Sequence, residues 1–216
     1  MALRRYDPTA PLARFVAENF DALPKPYRRW AAGPVWRNEK PGPGRFREFW
    51  QCDADTVGAA SPAADAEMVA MACAALEAAG VPPGGYQLRF STRKLLDAVL
   101  EKIGVPADAY STRLVVLRAI DKFTRLGHAG VELLLGDGRK DESGDFTKGA
   151  GLDAGQRGAV LDLVSAGDGS RGDVLARLAG IAGEEAIAEL RAMDAALSAF
   201  GVEDANAAID PTTCAG

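Results

Sequence analysis

The chain is poor in the residues from which metal centres and covalent cross-links are built. It has a single histidine, His128, and three cysteines, Cys52, Cys73 and Cys214, widely spaced and without a Cys-x-x-Cys pair. That pattern argues against a zinc site, and the odd number argues against a disulfide framework. No apolar run has the length of a membrane-spanning helix or the layout of a signal peptide, so a cytoplasmic setting is expected. Basic residues are outnumbered, 25 Lys and Arg against 30 Asp and Glu. A net charge of −5 argues against nucleic-acid binding by the whole surface, which is driven by phosphate neutralisation, and leaves room for a local basic patch. His128 sits in Leu126-Gly-His-Ala-Gly130 with no partner motif, and is read as a loop or surface residue rather than a catalytic one.

What is present is ordinary for a soluble globular protein: 48% hydrophobic and 25% charged residues. A length of 216 residues suffices for one domain with a core, or one plus a small appendage.

The most informative stretch is Gly33 to Asp55. An apolar, strand-like run ends in Arg37-Asn38-Glu39. A Pro/Gly turn, Lys40-Pro41-Gly42-Pro43-Gly44, leads into Arg45-Phe46-Arg47 and a second strand, on which Phe49, Gln51, Asp53 and Asp55 alternate onto one face. Proline presets φ and glycine permits φ > 0, which suits a compact turn. An arginine on a sheet face presents a planar fork of donors matched to phosphate or carboxylate oxygens. Lys40, Arg45 and Arg47 add a local positive field suited to a polyphosphate, Phe49 offers a flat face, and Gln51 and Asp55 can receive an amine or an imidazole N–H. The plain alternative is a hairpin with surface ion pairs, each contributing about 0–1 kcal/mol.

These residues resemble motif 2 of the class II aminoacyl-tRNA synthetases: Arg-x-Glu (Arg37-Asn38-Glu39), a loop, then Arg-Phe-Arg-x-Phe (Arg45 to Phe49). Further matches narrow the resemblance to the histidyl-tRNA synthetases. They are Gln51-Cys-Asp-Ala-Asp55 followed by Thr-Val-Gly, the opening Leu3-Arg-Arg-Tyr-Asp7-Pro-Thr9-Ala-Pro-Leu-Ala-Arg14, Ser91-Thr-Arg-Lys-Leu-Leu-Asp97, and Gly138 to Gly149. The resemblance touches nearly the whole chain and is most specific between residues 3 and 60. It implies an ATP-dependent histidine–tRNA ligase, forming histidyl-adenylate and transferring histidine to tRNA. Arg37 would hold the ATP α-phosphate and the histidine carboxylate, and would be the catalytic residue. Glu39 would accept from the adenine amino group, Phe49 would stack on adenine, and Arg45 would reach the β- and γ-phosphates. Asp7 and Thr9 would bind the histidine α-amino group, and Gln51 and Asp55 its other polar atoms. Mg²⁺ is the implied ion, held by phosphates and water, with no protein residue assigned to it.

The chain also departs from the family pattern. Nothing matches motif 1, which builds the family's homodimer, or motif 3 with its second ATP-binding arginine. Where the family continues from Asp210-Pro-Thr-Thr213 into Arg-Gly-Leu-x-Tyr-Tyr, this chain reads Cys214-Ala-Gly216. A fragment or truncated form covering motif 2 and the insertion domain is therefore expected, with very weak or no turnover by itself. Pro8, where leucine is usual, removes a backbone donor beside the amino-group site.

The implied fold class is α+β: part of the class II antiparallel sheet with flanking helices, plus a small helical insertion domain. Residues 1–135 would be partial catalytic core with the motif 2 hairpin at 33–58, residues 136–205 the insertion domain over the acceptor end of tRNA, and 206–216 a return strand. Helical patterns cover Pro11–Asn19, Ser61 to Gly80, Arg93–Ile103, Leu114–Leu126, Leu152–Ser165, Arg171–Ala179 and Glu184–Phe200, with Tyr86–Phe90 a strand. Met68, Met71 and Leu76 are read as core. Gly136 to Gly151 reads as an exposed polar loop. There Arg139, Lys140 and Lys148 are phosphate-contact candidates, but interleaved Asp137, Asp141, Glu142 and Asp145 favour a solvated mixed-charge segment. The alternative function is a non-catalytic, histidine-binding regulatory paralogue resembling the ATP phosphoribosyltransferase regulatory subunit. Arg37, Glu39, Arg45 and Phe49 favour the ligase, because a histidine sensor needs no grip on adenine and phosphate.

Overall fold

A computed structural model of the protein describes residues 5–141 and 144–215, with the backbone alone for Cys214 and Ala215. Leu3 and Arg4 of the family-like opening, Glu142 of the polar loop and Gly216 lie outside the described residues. The chain forms two compact units, residues 1–64 and 65–216.

The first unit holds helix α1 (Thr9–Asn19) and strands β1 (Tyr27–Trp36) and β2 (Glu48–Val57). The strands pair antiparallel from Tyr27↔Val57 to Trp36↔Glu48, so Gly33 lies opposite Gln51, Val35 opposite Phe49 and Arg29 opposite Asp55. Burial alternates along both strands. The face carrying Arg29, Val35, Phe49, Gln51 and Asp55 is covered, whereas the other leaves Trp30 78% and Trp50 72% exposed. This is the period-two pattern of a sheet covered on one side. Leu12 of α1 and Val35 are buried. The turn between the strands closes at Gly42 and Arg45, whose backbones bond in both directions, with Gly44 at φ +70° as such a turn requires.

The second unit holds most of helix α2 (Pro62–Ala78), then β3 (Leu88–Phe90), α3 (Arg93–Lys102), α4 (Tyr110–Ile120) and α5 (Phe123–Leu135). There follow β4 (Gly138–Lys140), β5 (Phe146–Lys148), α6 (Ala154–Val164), α7 (Arg171–Ala182), α8 (Glu184–Ala199) and β6 (Ala207–Ile209). β6 pairs with β3 in parallel, Leu88↔Ala207 to Phe90↔Ile209. Together the two units give an α+β architecture. A single apolar cluster runs from Ala66 through Leu95, Leu96, Ile120 and Leu135 to Leu163, Leu178, Leu190 and Ile209. Residues 136–205 thus share a core with residues 66–135, and α3 packs against α6, α7 and α8.

Several expectations are refined. The pattern read as one helix over Leu114–Leu126 is two, α4 and α5, and Gly127 (φ 62°) kinks α5. His128 is exposed, as expected, but lies in α5 beyond that kink rather than in a loop. Met71 is exposed and Met68 half-buried, because α2 has no distinct apolar face, its Asp65, Glu67 and Glu77 being spread around it, and only Ala66 and Cys73 are fully enclosed. The Gly-rich segment from Gly136 contains the β4–β5 hairpin, made possible by the close backbone approach that Gly138 and Gly149 allow. No helix is long and apolar enough to cross a membrane among the described residues.

Candidate functional site

The covered face of the β1–β2 hairpin, together with the segment before α1, gathers most of the polar residues singled out from sequence. Arg37 follows β1 directly, and its backbone N–H donates to the Arg47 carbonyl at 3.0 Å. Its guanidinium donates through Nη2 to Oε1 of Gln51 at 3.3 Å and through Nε to the Tyr6 carbonyl at 3.4 Å. It also lies over two rings, 4.6 Å from the Tyr6 centroid and 5.2 Å from that of Phe49. All these partners are neutral. Among the described residues no carboxylate lies within ion-pair reach of Arg37, so its charge is oriented but uncompensated.

Asp7 and Thr9 are held just ahead of the hairpin. Asp7 Oδ1 accepts from the Ala10 N–H at 3.0 Å, satisfying a donor of the first turn of α1, and Thr9 Oγ1 donates to Asp53 Oδ2 at 3.4 Å. Asp55 faces Arg29 across the strands, with Oδ2 3.5 Å from Nε. Arg29 also donates through Nη2 to the Pro8 carbonyl at 3.1 Å. Glu39 and Arg45 form a pair of their own beside the turn, 3.5 Å apart, while Arg47 Nε donates to the Glu39 carbonyl at 3.3 Å.

Arg37, Phe49 and Gln51 therefore form one cluster and Asp7, Thr9 and Asp55 line up along the adjoining segment. Glu39 and Arg45 engage one another rather than the Arg37 cluster. Two contributors escaped the reading of the sequence, Tyr6 and Arg29, and Asp53, read onto this face, was given no partner there. Arg29 was within reach of it, since alternation counted back from Arg37 lands on Arg29 and the antiparallel register sets it opposite Asp55. Tyr6 acts through its carbonyl and ring face, which no residue pattern announces.

Arg5 adds a brace: Nε donates to the Pro34 carbonyl at 2.8 Å and its carbonyl accepts from the Trp36 N–H at 3.0 Å. Gly33 is bare where the Arg5 guanidinium crosses the strand, because a Cβ there would collide with it. No three His, Cys, Asp or Glu side chains among the described residues converge as a metal cage. Around Arg37 the face offers guanidinium N–H groups, which suit anions, and beside them it carries the carboxylates of Asp7, Asp53 and Asp55, which suit an amine or imidazole N–H.

The sequence model of the histidyl-tRNA synthetase family matches residues 1–216. A histidine–tRNA ligase of Caulobacter vibrioides is 57% identical over 222 aligned residues, covering 100% of this chain and 44% of that protein. One from Rhodopseudomonas palustris is 64% identical over 162, covering 74% and 32%. The crystal structure of histidyl-tRNA synthetase from Nostoc sp. PCC 7120 is similar with a TM-score of 0.78 at 28% identity, over 98% of this chain and 46% of that one. An ATP phosphoribosyltransferase regulatory subunit/histidyl-tRNA synthetase from Bacillus halodurans gives 0.74, but at 22% identity that likeness bears on the fold alone. The chain spans less than half the length of these relatives.

Proposed function

Because the chain belongs to the histidyl-tRNA synthetase family, we propose that its first unit is the histidine- and ATP-gripping part of a histidine–tRNA ligase site. In the reaction so proposed, a carboxylate oxygen of histidine attacks the α-phosphorus of ATP and pyrophosphate leaves. Histidine then passes from the adenylate to the terminal hydroxyl of tRNA, releasing AMP. Negative charge builds on the α-phosphate oxygens during the first step. A fixed guanidinium beside them stabilises that charge more than it stabilises the ground state.

The observation that carries this reading is the state of Arg37. Its fork is aimed by Gln51, the Tyr6 carbonyl and two rings, and no anion among the described residues spends its charge. Such a group suits a carboxylate and a phosphate brought together. Phe49, already packed against Arg37, would stack on adenine, and Glu39 would accept from its amino group. Arg45 would leave Glu39 for the β- and γ-phosphates, an exposed pair costing little to part. Asp7 and Thr9 would take the α-amino group, and Gln51 and Asp55 the remaining polar atoms of histidine. Mg²⁺ would arrive on the ATP phosphates and keep mostly water and phosphate ligands.

In the same reading residues 136–205 are the insertion domain over the acceptor end of tRNA. Residues 1–135 and 206–216 belong to the core, with homodimer pairing and a cytoplasmic setting as in the family. The core shared with α3 supports α3 to α5 moving as one body with the insertion helices.

The test is calorimetric titration of the chain with histidine and with Mg-ATP, repeated for Arg37→Ala. Wild type should bind both, and the variant should lose about tenfold or more in each affinity, the size expected for a charge-assisted hydrogen bond. Binding of histidine with no binding of ATP would instead favour a histidine-sensing regulatory protein.

A further inference from the structure

Asp55 is held in an unusual way. Its only partner among the described residues is Arg29, with Oδ2 3.5 Å from Nε. Both atoms are closed off from solvent, yet neither makes a hydrogen bond, so the contact is ionic attraction without directional alignment. Both side chains are 22% exposed. The other carboxylate oxygen, Oδ1, has no hydrogen-bond partner among the described residues. Arg29 thus fixes one oxygen of Asp55 inside the protein and leaves the other unspent, on the face that also carries Gln51.

The same guanidinium reaches the opposite wall. Its Nη2 donates to the carbonyl of Pro8, which lies between Asp7 and Thr9, and that carbonyl also accepts the Leu12 N–H of α1 at 3.2 Å. One arginine therefore ties β2 to the segment preceding α1. Each of these two elements carries residues assigned above to histidine. A lysine in its place has a single ammonium head and cannot reproduce the planar fork that serves both partners.

From this geometry we infer that Arg29 is a positioning residue for histidine recognition: it sets the orientation of Asp55 and the distance between Asp55 and the Asp7–Thr9 segment. The inference rests on the proposed histidine site and assigns Arg29 no contact with ATP. Removing Arg29 frees Asp55 to turn toward solvent and releases the Pro8 carbonyl, so histidine meets a looser set of acceptors. The turn that carries Glu39 and Arg45 is untouched, because those residues pair with one another.

The test measures histidine and Mg-ATP affinities separately for wild type, Arg29→Met, Arg29→Lys and the double variant Arg29→Met/Asp55→Asn, with thermal melts alongside. Arg29→Met should weaken histidine about tenfold while ATP stays within about twofold, the scale of a lost charge-assisted bond. Arg29→Lys should recover part of that loss. The double variant should be no worse for histidine than Arg29→Met, since Asp55 then has nothing left to be oriented by. A purely structural role would lower the melting temperature and both affinities together. Unchanged histidine affinity in a folded Arg29→Met protein overturns the inference and leaves the Arg37 reading standing. If Arg29→Met does not fold, Arg29→Lys decides alone, and wild-type histidine affinity there overturns the inference. A wild-type chain that binds neither ligand overturns the inference and the proposed function together.

Discussion

Gln51 accepts from Arg37 at 3.3 Å across the β1–β2 hairpin, a neutral partner set against a charged one. The bond steers the guanidinium without neutralising it, and a carboxylate at position 51 would have done the opposite. Replacing Gln51 by Glu should therefore pair Arg37 internally and weaken histidine and ATP alike, by about tenfold or more. Gln51→Leu should weaken histidine and spare most ATP affinity. Calorimetric titration of both variants separates the two outcomes.

Arg171 is the most deeply buried cation of the second unit, 4% exposed. Its guanidinium meets Asp194 at 2.6 Å and Asp204 at 3.0 Å, and donates to the carbonyls of Val202 and Ala207 at 3.0 Å each. Arg171→Met should cost about 3 kcal/mol, because two carboxylates and two carbonyls lose their shared donor. Chemical denaturation of wild type and variant gives the difference.

Tyr86 has its phenol pushed up to about 12 by loss of solvent around the half-buried ring, with the Glu77 carboxylate and Cys73 adding to it and the Asn206 amide opposing. Its hydroxyl donates to Glu77 at 2.7 Å and accepts from Asn206 at 2.9 Å. A group raised in the folded state binds its proton more tightly there than when unfolded. Its contribution is whole below about 10 and drains away as pH rises toward about 12. Tyr86→Phe should flatten the stability profile across that interval relative to wild type, as read by denaturation at stepped pH.

Gly149 lies where a Cβ would run into the Gly136 carbonyl and the Gly138 amide nitrogen. These are backbone atoms with no freedom to swing aside. Gly149→Ala should lower stability by about 1–3 kcal/mol, the range for overpacked sites. Gly33→Ala meets only the end of the Arg5 side chain and should cost much less. Paired thermal melts check the contrast.

Much of this molecule is legible in its sequence. Alternation along Phe49, Gln51, Asp53 and Asp55, the Pro/Gly turn and the Arg-x-Glu that precedes it are local features, and strand periodicity alone sorts them onto one face. Helix ends at Pro62 and Gly80 and the breaks between α6, α7 and α8 were equally local, since proline and glycine act on their own backbone. What composition and period decided was which residues could serve as a grip, and in which elements they lie. Only the tertiary structure decided how these residues are braced. Arg29 joining Asp55 to Pro8, Tyr6 lying under Arg37, and α3 sharing a core with α6 to α8 all join residues distant along the chain. Such partners are selected by which elements bury which faces together, and that is a property of the packed whole rather than of any stretch of sequence.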